Sequence, residues 1–148
     1  MAVKPIPDGF HTVTPHLTVQ GASKLVDFLK QAFDAQELFR MAHPDGTIMH
    51  AEVKIGDSIV MMGEARGDCK PMPGSLYVYV DDADATYRRA LQAGATSMME
   101  PGDQFYGDRT AGVKDPSGNQ WTIATHREDV PPEELRRRAE ALMKKQPK

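Results

Sequence analysis

Cysteine is nearly absent from this sequence, because Cys69 is the single one among 148 residues. An internal disulfide is therefore excluded, and a reducing, cytoplasmic location is expected. The sequence also lacks an apolar run near the roughly 18 residues that a membrane span requires. Its first residues lack the apolar core of an export signal. We therefore expect neither membrane association nor export.

A strong charge of one sign is also missing, because 18 basic and 21 acidic residues give a net charge of −3. Nucleic-acid binding requires a basic stripe, which this balance does not favour. The hydrophobic fraction of 40% and the length of 148 residues suit one domain with a sizeable core. We therefore expect no nucleic-acid partner.

What the sequence does contain is a near repetition of itself. A fixed period of this kind indicates two copies of one supersecondary unit. Two such copies create a cleft between them, and the function is expected to lie in that cleft. The motifs that recur 60 to 62 residues apart are Val19–Ala22 and Val80–Ala83, Ala51–Lys54 and Ala111–Lys114, and Gly56–Ser58 and Gly118–Gln120.

The periodicity within each copy predicts the order β-α-β-β-β. Alternating polar and apolar residues indicate strands, and apolar residues at helical spacing indicate one helix in each copy. In the first copy the predicted strands are 12–19, 37–42, 48–55 and 58–62, and the predicted helix is 21–32. In the second copy the predicted strands are 76–80, 96–99, 111–114 and 120–125, and the helix runs from an N-cap at Asp82 to Gly94.

The sequence thus predicts a single α+β domain at 12–126, with modules at about 12–63 and 75–126. The segment Glu64–Gly74 is expected to be a linker and Pro101–Arg109 a loop. A C-terminal amphipathic helix is predicted at 130–146, and its apolar stripe packs either on its own domain or on a partner subunit. That stripe consists of Leu135, Ala139, Leu142 and Met143.

The duplicated order and the turn before the last strand carry a resemblance to a known family. The turn is Asp115-Pro116-Ser117-Gly118-Asn119. Together they resemble the vicinal oxygen chelate superfamily, which includes glyoxalase I, extradiol dioxygenases and bleomycin-resistance proteins. The segments that resemble its PhnB-like, glyoxalase-related group are His50–Glu52, Ile55–Ser58, Asp103–Arg109 and Trp121–Thr125.

The resemblance implies a glyoxalase-like fold in which mixed sheets from both modules curl around one cleft, and it implies a homodimer. The cleft forms within one chain or across a swapped dimer, and the linker permits either. The resemblance also implies a divalent metal held by His and Glu at four strand positions, which fall here on Thr14, Met61, Ser75 and Thr122. Hydroxyl and thioether groups are poor ligands for such an ion, so no cofactor is expected. The alternative is a divalent metal on His16, His50 and Glu52.

Strand alternation brings further polar and aromatic side chains to the predicted cleft face, because residues two apart share a face. Arg109 is suited to a carboxylate or phosphate ligand, but it can equally pair with Asp103 or Asp108 and fix its own loop. The predicted ligand-binding residues are His16, Thr18, His50, Glu52, Tyr77, Tyr79, Tyr106 and Arg109.

Two functions of different classes follow from these residues. The first is the binding of a small planar or anionic molecule in the cleft, without the metal of the family. The second is a metal-dependent lyase, isomerase or dioxygenase with an atypical ligand set. A metal-free enzyme that uses Glu52 or His16 as general base is a further alternative, and no catalytic residue is predicted.

Overall fold

Two four-stranded sheets, each packed against helices on one face, make up the structure, a computed structural model that describes residues 2–145. In chain order the elements are β1 (His16–Val19), α1 (Ala22–Phe33), β2 (Gln36–Ala42), β3 (Ile48–Ile55), β4 (Ser58–Glu64), β5 (Ser75–Tyr79), α2 (Ala83–Gln92), β6 (Thr96–Asp103), β7 (Asp108–Lys114), β8 (Gln120–His126) and α3 (Pro132–Lys145).

The two sheets have the same topology. Their strand orders are β1-β4-β3-β2 and β5-β8-β7-β6, with the first pair of each sheet parallel and the other pairs antiparallel. The predicted α+β class and the doubled β-α-β-β-β order are thereby confirmed.

Several predicted boundaries were wrong, and three of them have a local reason. The first strand begins at His16 rather than at residue 12, because Pro15 has no N–H for the sheet and only its carbonyl bonds Met61 N, at 2.9 Å. The predicted linker begins after Glu64, which still belongs to β4. The predicted loop Pro101–Arg109 is shorter, because β6 continues to Asp103 and β7 already starts at Asp108.

The core lies between the sheets and the helices and joins the two halves. Leu25 and Leu29 of α1 are fully buried, and α1 packs against α2. The rings of Phe33 and Trp121 lie 4.9 Å apart between centroids. Trp121 therefore faces the helices, as the alternation of β8 predicts.

Each half ties the end of its last strand to the start of its own helix. The carboxylate of Glu64 accepts hydrogen bonds from the N–H groups of Gly21 and Ala22, at 2.9 and 3.0 Å. Thr125 occupies the corresponding place in the second half, where its hydroxyl accepts from Ala83 N at 2.8 Å. These bonds satisfy backbone donors that a helix leaves free at its N-terminus.

The turn at Asp115–Asn119 is organised by one buried carboxylate. Asp115 is 4% exposed and accepts four hydrogen bonds, from Ser117 N, Asn119 N, Asn119 Nδ2 and Trp121 Nε1. The side-chain oxygen of Asn119 accepts from Gly74 N at 2.8 Å. The turn therefore fixes both the start of β8 and the end of the linker.

Helix α3 lies at the surface, and none of its residues within the described part of the chain is buried. Arg138 attaches it to the domain by donating to the Phe105 carbonyl at 3.2 Å and to the Glu128 carboxylate. Leu142 and Met143 of its stripe stay 43% and 64% exposed, so its own domain covers the stripe only in part. The helix begins at Pro132 rather than at the predicted residue 130, because Pro131 lies at the cap position, where its carbonyl accepts from Leu135 N at 2.9 Å. Residue 146 of the predicted helix lies outside the described residues. No helix in residues 2–145 is long and apolar enough to cross a bilayer.

Candidate functional site

A cavity of about 500 Å³ lies between the two halves of the chain. The first half contributes the segment 11–15, which precedes β1, and the β3–β4 hairpin at 55–60. The second half contributes β5, including Tyr77 and Tyr79. This volume is within the range of small-molecule sites, about 300–1,000 Å³.

Tyr77 and Tyr79 form the aromatic wall of this cavity. They share one face of β5 because side chains two apart on a strand point the same way, while Leu76 and Val78 between them pack toward the core. The two rings are 5.2 Å apart between centroids and tilted by 54°. Their exposed fractions are 44% and 62%, so both rings remain available to a ligand.

A buried carboxylate holds both tyrosines in place. Asp108, 4% exposed, accepts a hydrogen bond from the Tyr77 hydroxyl at 2.5 Å and one from the Tyr79 hydroxyl at 3.1 Å. It accepts a third from His126 Nδ1 at 2.7 Å. His126 Nε2 in turn lies 2.7 Å from the Asp129 carboxylate. Tyr106 adds its hydroxyl 3.5 Å from that of Tyr77.

The pKa values of this cluster follow from its contacts. Burial raises the pKa of Asp108, but the hydrogen bonds from Tyr77, His126 and Tyr79 outweigh it and leave the pKa below its ordinary value. Burial and its hydrogen bond to Asp108 raise the pKa of Tyr77, and the separate hydrogen bond from Tyr79 to Asp108 raises the pKa of Tyr79. The hydrogen bonds to Asp108 and Asp129 raise the pKa of His126. At neutral pH the cluster therefore contains a carboxylate, two neutral phenols and a histidine biased toward its charged form.

The predicted residues of the first module form a separate group on the open face of the first sheet. His50 Nε2 donates to the Glu52 carboxylate at 2.9 Å, and the rings of His16 and His50 stack with centroids 6.1 Å apart. Glu52 also lines a cavity of about 380 Å³ beneath the N-terminal segment, together with Thr14 and Met61. Thr14 borders this cavity and the one between the halves.

Thr18 and Arg109 are not part of the tyrosine cluster. The carbonyl of Thr18 accepts from Met72 N of the linker at 2.8 Å. Arg109 lies on the helix side of β7, where it donates to both carboxylate oxygens of Asp84 at 2.6 and 3.0 Å and to Asp103 at 3.2 Å. Its partners are thus Asp84 and Asp103, and Asp108, which the sequence offered as a partner, faces the opposite side of the strand.

The positions at which the resemblance implies a metal do not fit one. Thr14 donates its hydroxyl to the His11 carbonyl at 3.0 Å, and a thioether and two further hydroxyls occupy the other positions, at Met61, Ser75 and Thr122. Within residues 2–145, no group of three His, Cys, Asp or Glu side chains is arranged to share an ion. The set His16, His50 and Glu52 lies on one sheet face but does not form such a group.

Sequence reasoning assigned no role to His126 and offered Asp108 only as a partner of Arg109. Both were placed outside strands, whereas they lie directly opposite each other at the ends of β7 and β8. The signal was present in the alternation: Asp108 has the parity of Thr110 and Gly112, and His126 has the parity of Thr122 and Ala124.

Comparison with known proteins agrees with this architecture. The family model described as Glyoxalase/Bleomycin resistance protein/Dioxygenase superfamily matches residues 9–123. An uncharacterised protein of Mycobacterium bovis is 35% identical over 137 aligned positions, which cover 83% of this chain and 88% of that protein. A Mycobacterium tuberculosis protein, also uncharacterised, has the same identity, with 79% of its length covered.

Solved structures share the fold. TioX from Micromonospora sp. ML1 has a TM-score of 0.67 and 27% sequence identity, with 78% of this chain and 98% of TioX covered. A PhnB protein from Bacillus cereus, described as a putative 3-demethylubiquinone-9 3-methyltransferase, has a TM-score of 0.62 and 18% identity, with 78% and 99% covered. The second similarity shows the fold alone.

Proposed function

Because the chain belongs to the Glyoxalase/Bleomycin resistance protein/Dioxygenase superfamily, we propose that it binds a small planar molecule in the cavity between its halves. The observation that carries this proposal is the pair of half-exposed tyrosine rings, Tyr77 and Tyr79, held on one wall of a cavity of about 500 Å³. Aromatic rings of this kind stack on planar ligands, and their fixed position lowers the cost of ordering them on binding.

The planar class is favoured over the anionic class that the sequence also predicted. An anionic ligand would depend on Arg109, but the guanidinium of Arg109 is paired with Asp84 and Asp103. Binding without a divalent metal is part of the proposal, and the hydroxyl and thioether side chains at the four implied positions support it.

We also propose a cytoplasmic homodimer. Both open sheet faces carry exposed apolar side chains, including Phe39 and Met41 on the first and Met98 and Met99 on the second. Exposed apolar surface of this kind is typical of association sites. Size-exclusion chromatography with light scattering tests this part, and a monomer at all concentrations would contradict it.

The binding proposal is tested with quinoline as a neutral planar probe and with two variants of one residue. Tyr79→Leu removes the ring and the hydroxyl, whereas Tyr79→Phe removes only the hydroxyl. Since aromatic pairs contribute about 0.5–1.5 kcal/mol beyond burial, Tyr79→Leu should weaken quinoline binding about fivefold in calorimetry, and Tyr79→Phe should retain it.

Equal affinities in the two variants would contradict a stacking role for Tyr79. Absence of binding by every planar probe to the unmodified protein would contradict the site. Elemental analysis of the same preparation tests the metal. A stoichiometric divalent ion that is lost in His50→Ala would favour the metal-dependent enzyme instead.

A further inference from the structure

We propose that the planar ligand of this cavity carries a positive charge, as an N-alkylated heteroaromatic ring or a planar ring bearing an ammonium group does. This inference rests on the proposed function and adds the charge of the ligand to it. Three features of the site support it: the direction of the tyrosine protons, the charge at the ends of the rings, and the composition of the cavity lining.

The first feature is that both tyrosine protons are already used. A carboxylate only accepts hydrogen bonds, so Tyr77 and Tyr79 must be the donors in their 2.5 and 3.1 Å bonds to Asp108. Each of these two phenol oxygens is then left with lone pairs only. Tyr77 and Tyr79 can therefore accept a hydrogen bond from a ligand, but neither hydroxyl has a proton left for an anionic group.

The second feature is the charge at the ends of the rings. Donation to a carboxylate polarises the phenol and increases the negative character of its oxygen and ring face. Asp108, 4% exposed, places one poorly screened carboxylate at the hydroxyl ends of the rings, whereas Asp129, the second partner of His126, is fully exposed. A cation over the faces of Tyr77 and Tyr79 is thus attracted by the rings and by the buried carboxylate that polarises them.

The third feature is the lining of the cavity. Among the residues that the structure describes, no lysine or arginine lines it, and its only acidic or basic side chains besides the tyrosines are His11 and Asp57. The nearest guanidinium on β7, that of Arg109, is on the other face of the strand and bound to Asp84. The lining therefore contains no fixed positive charge that would repel a cation or pair with an anion.

The test compares three bicyclic probes of the same shape and different charge by calorimetry at mildly alkaline pH. These are N-methylquinolinium, quinoline and 2-naphthoate, with charges of plus one, zero and minus one. Cation–π attraction at a partly desolvated site gives an expected preference of about tenfold for N-methylquinolinium over quinoline. Naphthoate should bind most weakly.

Each outcome has a definite meaning. Equal binding of quinoline and N-methylquinolinium, or tighter binding of naphthoate, would overturn the cationic ligand and leave the planar binding site standing. Binding of none of the three probes would overturn both proposals.

Variants locate the source of the preference. Asp108→Asn, checked for folding by circular dichroism, should reduce the preference for the cation to within about twofold. If this buried substitution prevents folding, the exposed Tyr79 replaces it in the test. Tyr79→Leu should reduce the preference to about threefold. Tyr79→Phe should keep a larger preference than Tyr79→Leu, because it loses the bond to Asp108 but keeps a ring face. Equal preferences in these two variants would overturn the proposal.

Discussion

The substitution Asp115→Asn tests how strongly one buried carboxylate holds the turn that joins the linker to β8. Oδ1 of Asp115 accepts from Ser117 N and Asn119 N, at 2.8 and 3.0 Å, and Oδ2 accepts from Asn119 Nδ2 and Trp121 Nε1, at 2.9 and 2.8 Å. An asparagine has one acceptor oxygen and one amide group that only donates. In either orientation of the amide, two of the four donors lose their acceptor.

The expected loss follows from those two bonds. A hydrogen bond to a charged group contributes about 1.5–3 kcal/mol, so the loss of two should lower the free energy of unfolding by about 3–6 kcal/mol. For a chain of this size, a change of about 2–4 °C per kcal/mol lowers the melting temperature by about 6–24 °C. The measurement is urea unfolding followed by the fluorescence of Trp121, the only tryptophan of the sequence, and by circular dichroism.

Asp82→Asn is the matched control. Asp82 caps α2 by accepting from Ala85 N at 3.1 Å, and asparagine caps a helix about as well as aspartate. The control should change the free energy of unfolding by less than about 0.5 kcal/mol. A loss of less than about 1 kcal/mol in Asp115→Asn, against the bond energies above, would refute the role given to this carboxylate.

Three further predictions concern the surroundings of the cavity. Gly107 has a φ of +102°, and a Cβ there would lie 2.1 Å from the Glu128 carbonyl oxygen. Gly107→Ala should therefore expose the segment before α3 to limited proteolysis. Gly102→Ala is the control and should not, because open space surrounds Gly102. Because its pKa is raised above its ordinary value of 6.5, His126 should stabilise the fold fully below about pH 6.5 and lose that contribution as the pH rises through the raised value; an NMR titration of His126 at or below 6.5 would contradict this. Arg109→Ala should leave the affinity for quinoline unchanged, since the partners of Arg109 are Asp84 and Asp103. A fall in that affinity of more than about threefold, measured by calorimetry, would show that Arg109 contributes to ligand binding.

The architecture could be predicted from the sequence because strand alternation is visible over a few residues and the repeat is visible as short motifs at a fixed spacing. Ala111 and Val113 share one parity on β7, and Trp121 and Ile123 share one parity on β8. All four are buried, as their apolar character at every second position predicts. The end of β6 did not follow, because Pro101 and Gly102 favour a loop in any local window. An edge strand tolerates both residues, and β6 is the edge of its sheet.

The candidate site was predicted only in part, since its decisive contacts join distant segments. Tyr77 and Tyr79 are two residues apart on one strand, so their position on the same sheet face could be predicted. Their link to Asp108 depends on the order of strands in the second sheet, and the link from Asp108 to His126 depends on the register of β7 against β8. The pairing of Arg109 with Asp84 depends on the position of α2 over β7. No local pattern contains these relations.

Through Glu64 and Thr125, each half has its own hydrogen bonds between its last strand and the first turn of its helix. A substitution on the open face of one sheet consequently does not involve the corresponding bonds of the other half. The two open faces differ: the first carries the imidazoles of His16 and His50 and the carboxylate of Glu52, and the second carries phenols around Asp108. The two halves share one sheet topology, but the side chains that they present to a ligand are different.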